Sequence, residues 1–449
     1  MVDLHSERAR IRGLLVNSGR YSFEEADSSL VTSEIAIEVS SDAAATRAGQ
    51  AALLTAVVTA ARCFGVVRVC GALELPSFFR LPGSPTTLGH AVTRLGGIAD
   101  SRSARRSVMI GPRGRGSTGW GVQAFWNGWL AGVTPASRPE PCGRGDCVLA
   151  GVVAGAEVVA QAFLAEQGDA RAGTARSILS LWAPESKSCE QERIGPSSYN
   201  LPHALWLIGV GNLGQSFVWS LSLLADRESR ALSVYLQDDD VVTRENWGTS
   251  VLVQKGQYGD LKTRIAEDWL LASKVDVRRI DRRLDEHLRR TPSEPSVALA
   301  GLHSYRDRRL LGKPGFAYVI DAGLGSTHES YQRVRINTFD AALDPETHFA
   351  GLSDQGSNQV RRLLALPAYQ ALAEDATDHG CGAALLAEAA VAVPFVSAIA
   401  GAFALAQAVR VSSGYAPYRA IIGDVGQLGT FRATPSVSTD RAASARPTA

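Results

Sequence analysis

The stretch from Leu205 to Lys274 constrains this 449-residue chain more than any other. An apolar run, Leu205–Ile208, reads as a buried strand. Gly209, Gly211 and Gly214 follow in the pattern G-x-G-x-x-G, and an apolar helical pattern then reaches Ala225. Glycines in such a turn let the backbone fold tightly and approach a phosphate, whose charge the helix N-terminus favours. A second strand, Leu232–Leu236, runs into Asp238, Asp239 and Asp240, so carboxylates sit where a nucleotide ribose would lie. The glycine pattern by itself matches many unrelated sequences. Its neighbours are what make it informative.

A dinucleotide enzyme would pass directly from the acidic residue into another helix. Here a polar loop, Thr243–Ser250, carries Asn246, and after a short spacer Lys262 opens the next helix. A lysine at a helix start, facing a glycine turn and flanked by aspartates, suits a nucleoside triphosphate better than a nicotinamide cofactor. It neutralises phosphate charge while a carboxylate pair holds ribose or metal.

In order and spacing this stretch resembles the adenylating family that includes ThiF, MoeB and the ubiquitin-activating enzymes. That family reads G-x-G-x-x-G, then D-x-D-x-V, then S-N-L-x-R-Q, then G-x-x-K. The chain gives Gly209/Gly211/Gly214, Asp238-Asp239-Asp240-Val241-Val242, Glu245-Asn246-Trp247-Gly248-Thr249-Ser250 and Gly259-Asp260-Leu261-Lys262. The resemblance implies ATP and Mg2+. Gly209, Gly211 and Gly214 would cradle the phosphates, Asp238 would bind the ribose, and Asp240 would serve ribose or metal. Asn246 and Lys262 would stabilise charge on the triphosphate. Two positions depart from the family. Thr249 stands where it has an arginine, and His303-Ser304 stand where it has a magnesium-holding aspartate followed by asparagine. A histidine is a poor ligand for a hard cation. Arg244 and Arg308 are stand-ins for the arginine, and Asp240 or Asp321 for the aspartate.

The chain is long enough for two or three domains. Lys+Arg number 46 against Asp+Glu 45, a balance that points to neither nucleic acid nor an anionic membrane surface. Charged residues recur through Met1–Arg20, which predicts no secretory leader. The cysteines Cys63, Cys70, Cys142, Cys147, Cys189 and Cys381 are scattered, so a reducing cytoplasm is expected. Cys142 and Cys147 lack a second close Cys or His pair and predict no structural zinc. Val148–Ala165 and Ala389–Val409 are apolar enough to raise a membrane span. Their Ala, Val and Gly content, interrupted by Glu157 and Pro394, reads instead as packed core helices.

Read in order, Leu4–Ile11 is expected as a short helix and Glu34–Val39 as a strand. Ser41–Phe64 is expected as one helix, and Gly65–Cys70 as a buried strand. Gly111–Gly119 lies between strand-like runs, Ser107–Ile110 and Trp120–Phe125, and reads as a hairpin turn rather than a phosphate loop. Leu149–Glu166 and Ser397–Arg410 are matching small-residue helices, each closing one half, which hints at an internal duplication. Ala183–Asn200 is a polar linker. Strands are expected at Val275–Ile280, Ser296–Gly301, Ala317–Gly325 and Tyr331–Phe339, with an arginine-rich helix at Tyr305–Leu311.

The alternation implies an α/β fold with mostly parallel, Rossmann-like sheets and helices on both faces. By resemblance, residues 1–190 form a degenerate adenylation-like half with a structural or docking role. Residues 191–425 form the ATP-binding half. Residues 426–449, poor in apolar side chains, read as a disordered tail. A long segment, 340–380, corresponds to the crossover of the thioester-forming relatives. It delivers Asp378-His379-Gly380-Cys381-Gly382 just before the closing helix. A Cys381 thiolate could attack an acyl-adenylate, with His379 lowering its pKa; a cysteine packed at a helix start is the alternative.

A chain with one degenerate and one complete half resembles the stand-alone activating enzymes of bacterial ubiquitin-like conjugation operons (Bil-type), which are linked to antiviral defence. The implied partners are a ubiquitin-like protein, a conjugating enzyme and a second copy of the chain, without nucleic acid or membrane. Activation of a sulfur carrier is the second reading; a nucleotide-binding scaffold without catalysis, supported by Thr249 and His303, is the third. A nicotinamide dehydrogenase accounts for neither Asn246 nor Lys262.

Overall fold

Each half of the chain threads its strands through a sheet in the same order. The computed structural model describes residues 3, 5–112, 119–143, 146–185, 193–225, 232–353, 357–375 and 381–436. The first sheet comprises β1 (Glu34–Val39), β2 (Val66–Gly71), β3 (Ile98–Ala99), β4 (Arg106–Ile110), β5 (Gly121–Asn127), β6 (Leu130–Pro135) and β7 (Ser177–Ser180). The second comprises β8 (Ala204–Ile208), β9 (Ser233–Gln237), β10 (Asp276–Ile280), β11 (Val297–Ala300), β12 (Tyr318–Leu324), β13 (Arg333–Phe339), β14 (Tyr418–Asp424) and β15 (Gln427–Pro435). Their spatial orders are β3-β2-β1-β4-β5-β6-β7 and β10-β9-β8-β11-β12-β13-β14-β15. Shifting the strand numbers by seven superimposes one on the other, with β15 added at an edge. The first five strands of each sheet are parallel and the rest antiparallel.

The duplication extends to single residues. Helices 148–166 and 394–412 connect the corresponding strand pairs of the two halves, β6 to β7 and β13 to β14. Both contain A-G-A-x-x-x-A-Q-A, at 154–162 and 400–408. A Cβ on Gly155 would lie 2.1 Å from the Ala52 carbonyl oxygen, and one on Gly401 2.8 Å from that of Ser216. Each closing helix therefore presses its glycine onto the long helix between the first two strands of its own half, 47–63 or 212–225, at a distance no side chain permits. The two closing helices also pack on each other, with Phe163 and Phe395 rings 5.6 Å apart. Trp219 Nε1 donates to Thr55 Oγ1 at 3.0 Å, and Arg47 to the Leu223 carbonyl at 3.2 Å. These four helices form the layer between the sheets. In the closing helices, 89% and 83% of the most apolar windows are buried, as expected of core helices.

Several expectations change. The segment expected as one helix from Ser41 to Phe64 is two, 41–44 and 47–63, because Thr46 caps the second through its hydroxyl, which accepts from Gly49 N. The N-terminal helix runs Ala9–Asn17, and a second, Phe23–Thr32, starts at a Ser22/Glu25 capping box. The hairpin reading of Gly111–Gly119 is overturned: β4 and β5 are parallel neighbours, so the chain must cross between them. Residues 113–118 of that crossing lie outside the described residues. The segment 340–380 is no featureless loop. It holds helices Pro345–His348, Ser357–Leu364 and Pro367–Asp375, and the last two pack against Cys381–Glu388 as a lobe. Tyr369, fully buried, ties that lobe to the N-terminal helices by donating to Asn17 Oδ1 at 2.7 Å. The expected tail begins as a strand, because Leu428 and Phe431 of β15 are buried and Phe431 stacks on Phe403. Residues 437–449 lie outside the described residues.

Glu157 is the carboxylate in the middle of the first closing helix. It is fully buried, and accepts from Gln161 Nε2 at 2.8 Å and Gly426 N at 3.2 Å, across the junction of the halves. Burial pushes its pKa up to about 7 from 4.5.

Two tests follow from this packing. Gly155→Val and Gly401→Val are each expected to destabilise the protein by about 1–3 kcal/mol through overpacking, read by denaturant unfolding. For Glu157 the folded pKa is the higher one, so its stabilising contribution is complete below pH 4.5 and lost as pH rises to about 7. Relative to Glu157→Gln, which resembles the neutral acid, the wild type is expected to lose about 3 kcal/mol across that window. Equal pH profiles for the two proteins would refute the assignment.

Candidate functional site

Three strand ends converge on the glycine turn. Ile208, the last residue of β8, is paired with Gln237 on β9 and Ala300 on β11, so Gly209, Asp238 and Gly301 emerge side by side. This is the carboxyl edge where open α/β sheets bind ligands. Gly209 adopts φ +83°, and a Cβ on Gly214 would sit 2.0 Å from the Gly209 carbonyl oxygen. Both positions therefore need glycine for the turn into helix 212–225 to form. A Cβ on Gly211 would meet no other atom within 4 Å, so that glycine faces open space, as a ligand cradle requires.

Asp238 locks the turn from the next strand. Its Oδ2 accepts from Val210 N at 2.5 Å and its Oδ1 from Asp240 N at 2.8 Å. Burial raises its pKa, against the opposing pull of those two N–H groups and of Lys262. Lys262 begins helix 262–272; its N donates to the Asp240 carbonyl at 3.0 Å, and its Nζ pairs with Asp240 Oδ2 at 2.6 Å. The lysine side chain is 12% exposed and the aspartate 64%, so the pair opens to solvent through its acid. Asp239 is exposed, and carboxylate oxygens of Asp238, Asp239 and Asp240 lie within 4.8 Å of one another.

An antiparallel bridge between Val241 and Leu261 closes the loop that carries Asn246. Asn246 opens the short helix 246–249, and its Oδ1 accepts from Thr243 N at 2.9 Å. The structure thus unites Gly209, Gly211, Gly214, Asp238, Asp240 and Lys262 in one group. Asn246 lies on the adjoining loop, with no hydrogen bond to that group among the described residues. Cys381 opens helix 381–388 in the separate lobe. Its side chain, and all of His379, lie outside the described residues.

The proposed stand-ins fare differently. Thr249 is buried, so the loop points no side chain outward from the family's arginine position. Arg308 cannot replace that arginine. It donates to the Leu302 carbonyl through two nitrogens and to Ala322 O, and it pairs with Asp321 at 3.4 Å. Asp321 is fully buried: its Oδ2 accepts from Arg308 and Asn337, its Oδ1 has no hydrogen-bond partner among the described residues, and its pKa is raised by burial. Arg244 is exposed and lies 3.4 Å from Asp3. His303 is exposed beyond β11.

Sequence reading missed the N-terminal arm. Gly248 N donates to the Glu7 carbonyl at 2.9 Å, His5 pairs with Glu245 at 2.6 Å, and Glu7 binds Lys255 and Tyr258 at 2.7 and 2.5 Å. Residues from the first turns of the chain thus buttress the Asn246 loop. Such a long-range contact leaves no local signal.

The N-terminal half has the same frame with different residues. Val39 pairs with Gly71 and Ile110 as Ile208 does with Gln237 and Ala300, which places Ser40, Ala72 and Gly111 opposite Gly209, Asp238 and Gly301. A matching bridge, Pro76–Thr87, precedes the helix beginning at Leu88, where the other half has Lys262. A cleft of about 500 Å3 remains there, lined by Glu38 and Glu74 among others and, among the described residues, by no basic side chain.

Comparison with known proteins agrees with this two-half frame. The family described as the BilD N-terminal domain matches residues 34–181, and that described as the BilD C-terminal domain matches residues 201–415. The bacterial E1-like protein BilD of Collimonas sp. (strain OK412) is 31% identical over 448 residues, spanning 96% of this chain and 95% of that protein. Among solved structures, PaaA is 17% identical and covers 52% of this chain and 63% of its own at a TM-score of 0.33. E. coli MccB, solved with ATP, is 11% identical and covers 70% and 94% at a TM-score of 0.35. The chain belongs to the BilD family of bacterial E1-like proteins.

Proposed function

We propose that the C-terminal half adenylates the C-terminal carboxylate of a ubiquitin-like protein and that Cys381 then takes the acyl group as a thioester, for delivery to a conjugating enzyme. The Lys262–Asp240 pair beside the glycine turn, locked by Asp238, carries this reading. A helix N-terminus, a glycine cradle and a lysine at one strand edge form a site for polyphosphate rather than for a neutral ligand.

The chain's residues divide the work. The N–H groups of the Gly209–Gly214 turn face the phosphates, Asp238 orients the ribose, and Lys262 offers positive charge where negative charge develops on the leaving pyrophosphate. The exposed acids Asp239 and Asp240 fit Mg2+, which takes oxygen ligands and shares them with phosphates; when bound it would offset triphosphate charge. The carboxylate oxygen of the carrier bonds to the α-phosphorus as the bond to the β-bridging oxygen breaks, releasing pyrophosphate. The Cys381 sulfur, its proton lost to water, then bonds to the acyl carbon, and AMP leaves with the electron pair. The N-terminal half would take no part in this chemistry. Its helix start at 41–44 carries Asp42, and Glu38 and Glu74 line its cleft, carboxylates that would disfavour polyphosphate there.

The test is intact-mass spectrometry without reductant after incubation with MgATP and a ubiquitin-like protein encoded beside the gene. The wild type is expected to gain a thiol-sensitive adduct. Cys381→Ala is expected to lose the adduct yet still form AMP when the adenylate is trapped with hydroxylamine. Lys262→Ala is expected to slow AMP formation about a hundredfold or more. AMP formation with no adduct on the wild type would favour sulfur-carrier activation. ATP binding without AMP in the wild type would favour a scaffold, the role that buried Thr249 and exposed His303 support.

A further inference from the structure

Arg62 is the last arginine of helix 47–63, in the half that lacks the nucleotide residues, yet its head group lies inside the other half. Its Nε donates to the Ser250 carbonyl at 3.1 Å and its Nη2 to the Val253 carbonyl at 2.8 Å. Its guanidinium carbon lies 4.3 Å from the centre of the Trp247 ring. All three partners belong to the loop that begins at Asn246. We propose that Arg62 is a positioning residue for the nucleotide site, holding the Asn246 loop in place from the opposite half of the chain. The proposal rests on the nucleotide reading above.

Arg62 is 3% exposed, and no carboxylate pairs with it among the described residues. Burial and the neighbouring Arg8 pull its pKa down to about 10, so it is held charged in unfavourable surroundings. A buried guanidinium is expensive unless its donors are well used. Here they are used on two carbonyls three residues apart and on an indole face, a shape that a planar fork fits and an ammonium does not. A merely space-filling role would be served better by methionine or leucine.

The remaining contacts show what the clamp acts on. Gly248 N donates to the Glu7 carbonyl, and a Cβ on Gly248 would lie 2.5 Å from that oxygen, so the arm and the loop touch backbone to backbone. Lys255 Nζ and the Arg8 guanidinium also lie over Trp247, at 4.9 and 5.7 Å. Between Gly248 and Val253 the loop is therefore fastened at three backbone points by residues 7 and 62 of the other half. Ser250 N in turn donates to the Asn246 carbonyl at 3.0 Å, which carries the constraint back to Asn246. The half without nucleotide residues shapes the site of the half that has them.

The test compares the full-length wild type with Arg62→Met and Arg62→Lys by amide hydrogen exchange without nucleotide, and by calorimetric titration with MgATP. In Arg62→Met, exchange across 246–253 is expected to rise about tenfold or more while β8 and β12 keep their protection, and MgATP affinity is expected to fall about tenfold. Arg62→Lys, which can serve one carbonyl, is expected to fall between. Unchanged exchange in 246–253, or loosened exchange with unchanged MgATP affinity, would overturn the proposal. So would a uniform loss of protection over both halves in both variants, which would assign Arg62 to stability alone. A wild type that does not bind MgATP would refute the nucleotide reading instead, and the exchange comparison would still decide whether Arg62 holds the loop.

Discussion

Everything in this molecule depends on how closely its four central helices approach. Gly155 and Gly401 let each closing helix lie against the carbonyls of its neighbour, and the Ala-rich faces around them bury almost completely. Such faces offer little side-chain volume, so their stability comes from backbone proximity and from many small contacts. They also make the two halves a single body. Hydrogen bonds such as Trp219 to Thr55, and Gln161 to the Gly426 carbonyl, cross the junction from buried side chains. A site on one half can then be shaped by residues of the other.

The duplicated frame isolates what the site needs. Strand register and bridge recur in both halves, while the positions of Gly209, Asp238 and Lys262 are held in the other half by Ser40, Ala72 and Leu88. The sheet edge is therefore common to both halves, and what differs is the few side chains placed on it. The proposed chemistry enters with a few side chains: Glu38 and Glu74 line the N-terminal cleft, while the C-terminal edge presents carboxylates answered by Lys262. Arg308 and Asp321 pair with each other, which leaves the exposed Arg244 and Asp240 as the stand-ins for the missing arginine and aspartate of the wider family.

Where local chemistry determined the outcome, the sequence was a sufficient guide. The G-x-G-x-x-G turn, the aspartates and Lys262 converge as their spacing predicted, because each follows a strand end or begins a helix. The small-residue helices were readable as a repeat, since glycine and alanine at helical spacing have few other uses. The misreadings came where distant contacts decide. β4 and β5 look like hairpin arms because strand pattern is silent on parallel or antiparallel pairing. β15 looks like tail because two buried residues, Leu428 and Phe431, are too few to show a period. The Ser22/Glu25 capping box was a visible signal for the helix that followed it. Arg62 left no signal, because nothing near it in the chain distinguishes it from a surface arginine.

The central claim is that two similar halves make one nucleotide site, on the C-terminal half. Native mass spectrometry of the full chain titrated with MgATP counts the sites directly, and a Lys262→Ala copy assigns them. One nucleotide per chain, lost in that copy, is the expected result. Two nucleotides per chain, or one that persists undiminished in Lys262→Ala, would contradict it.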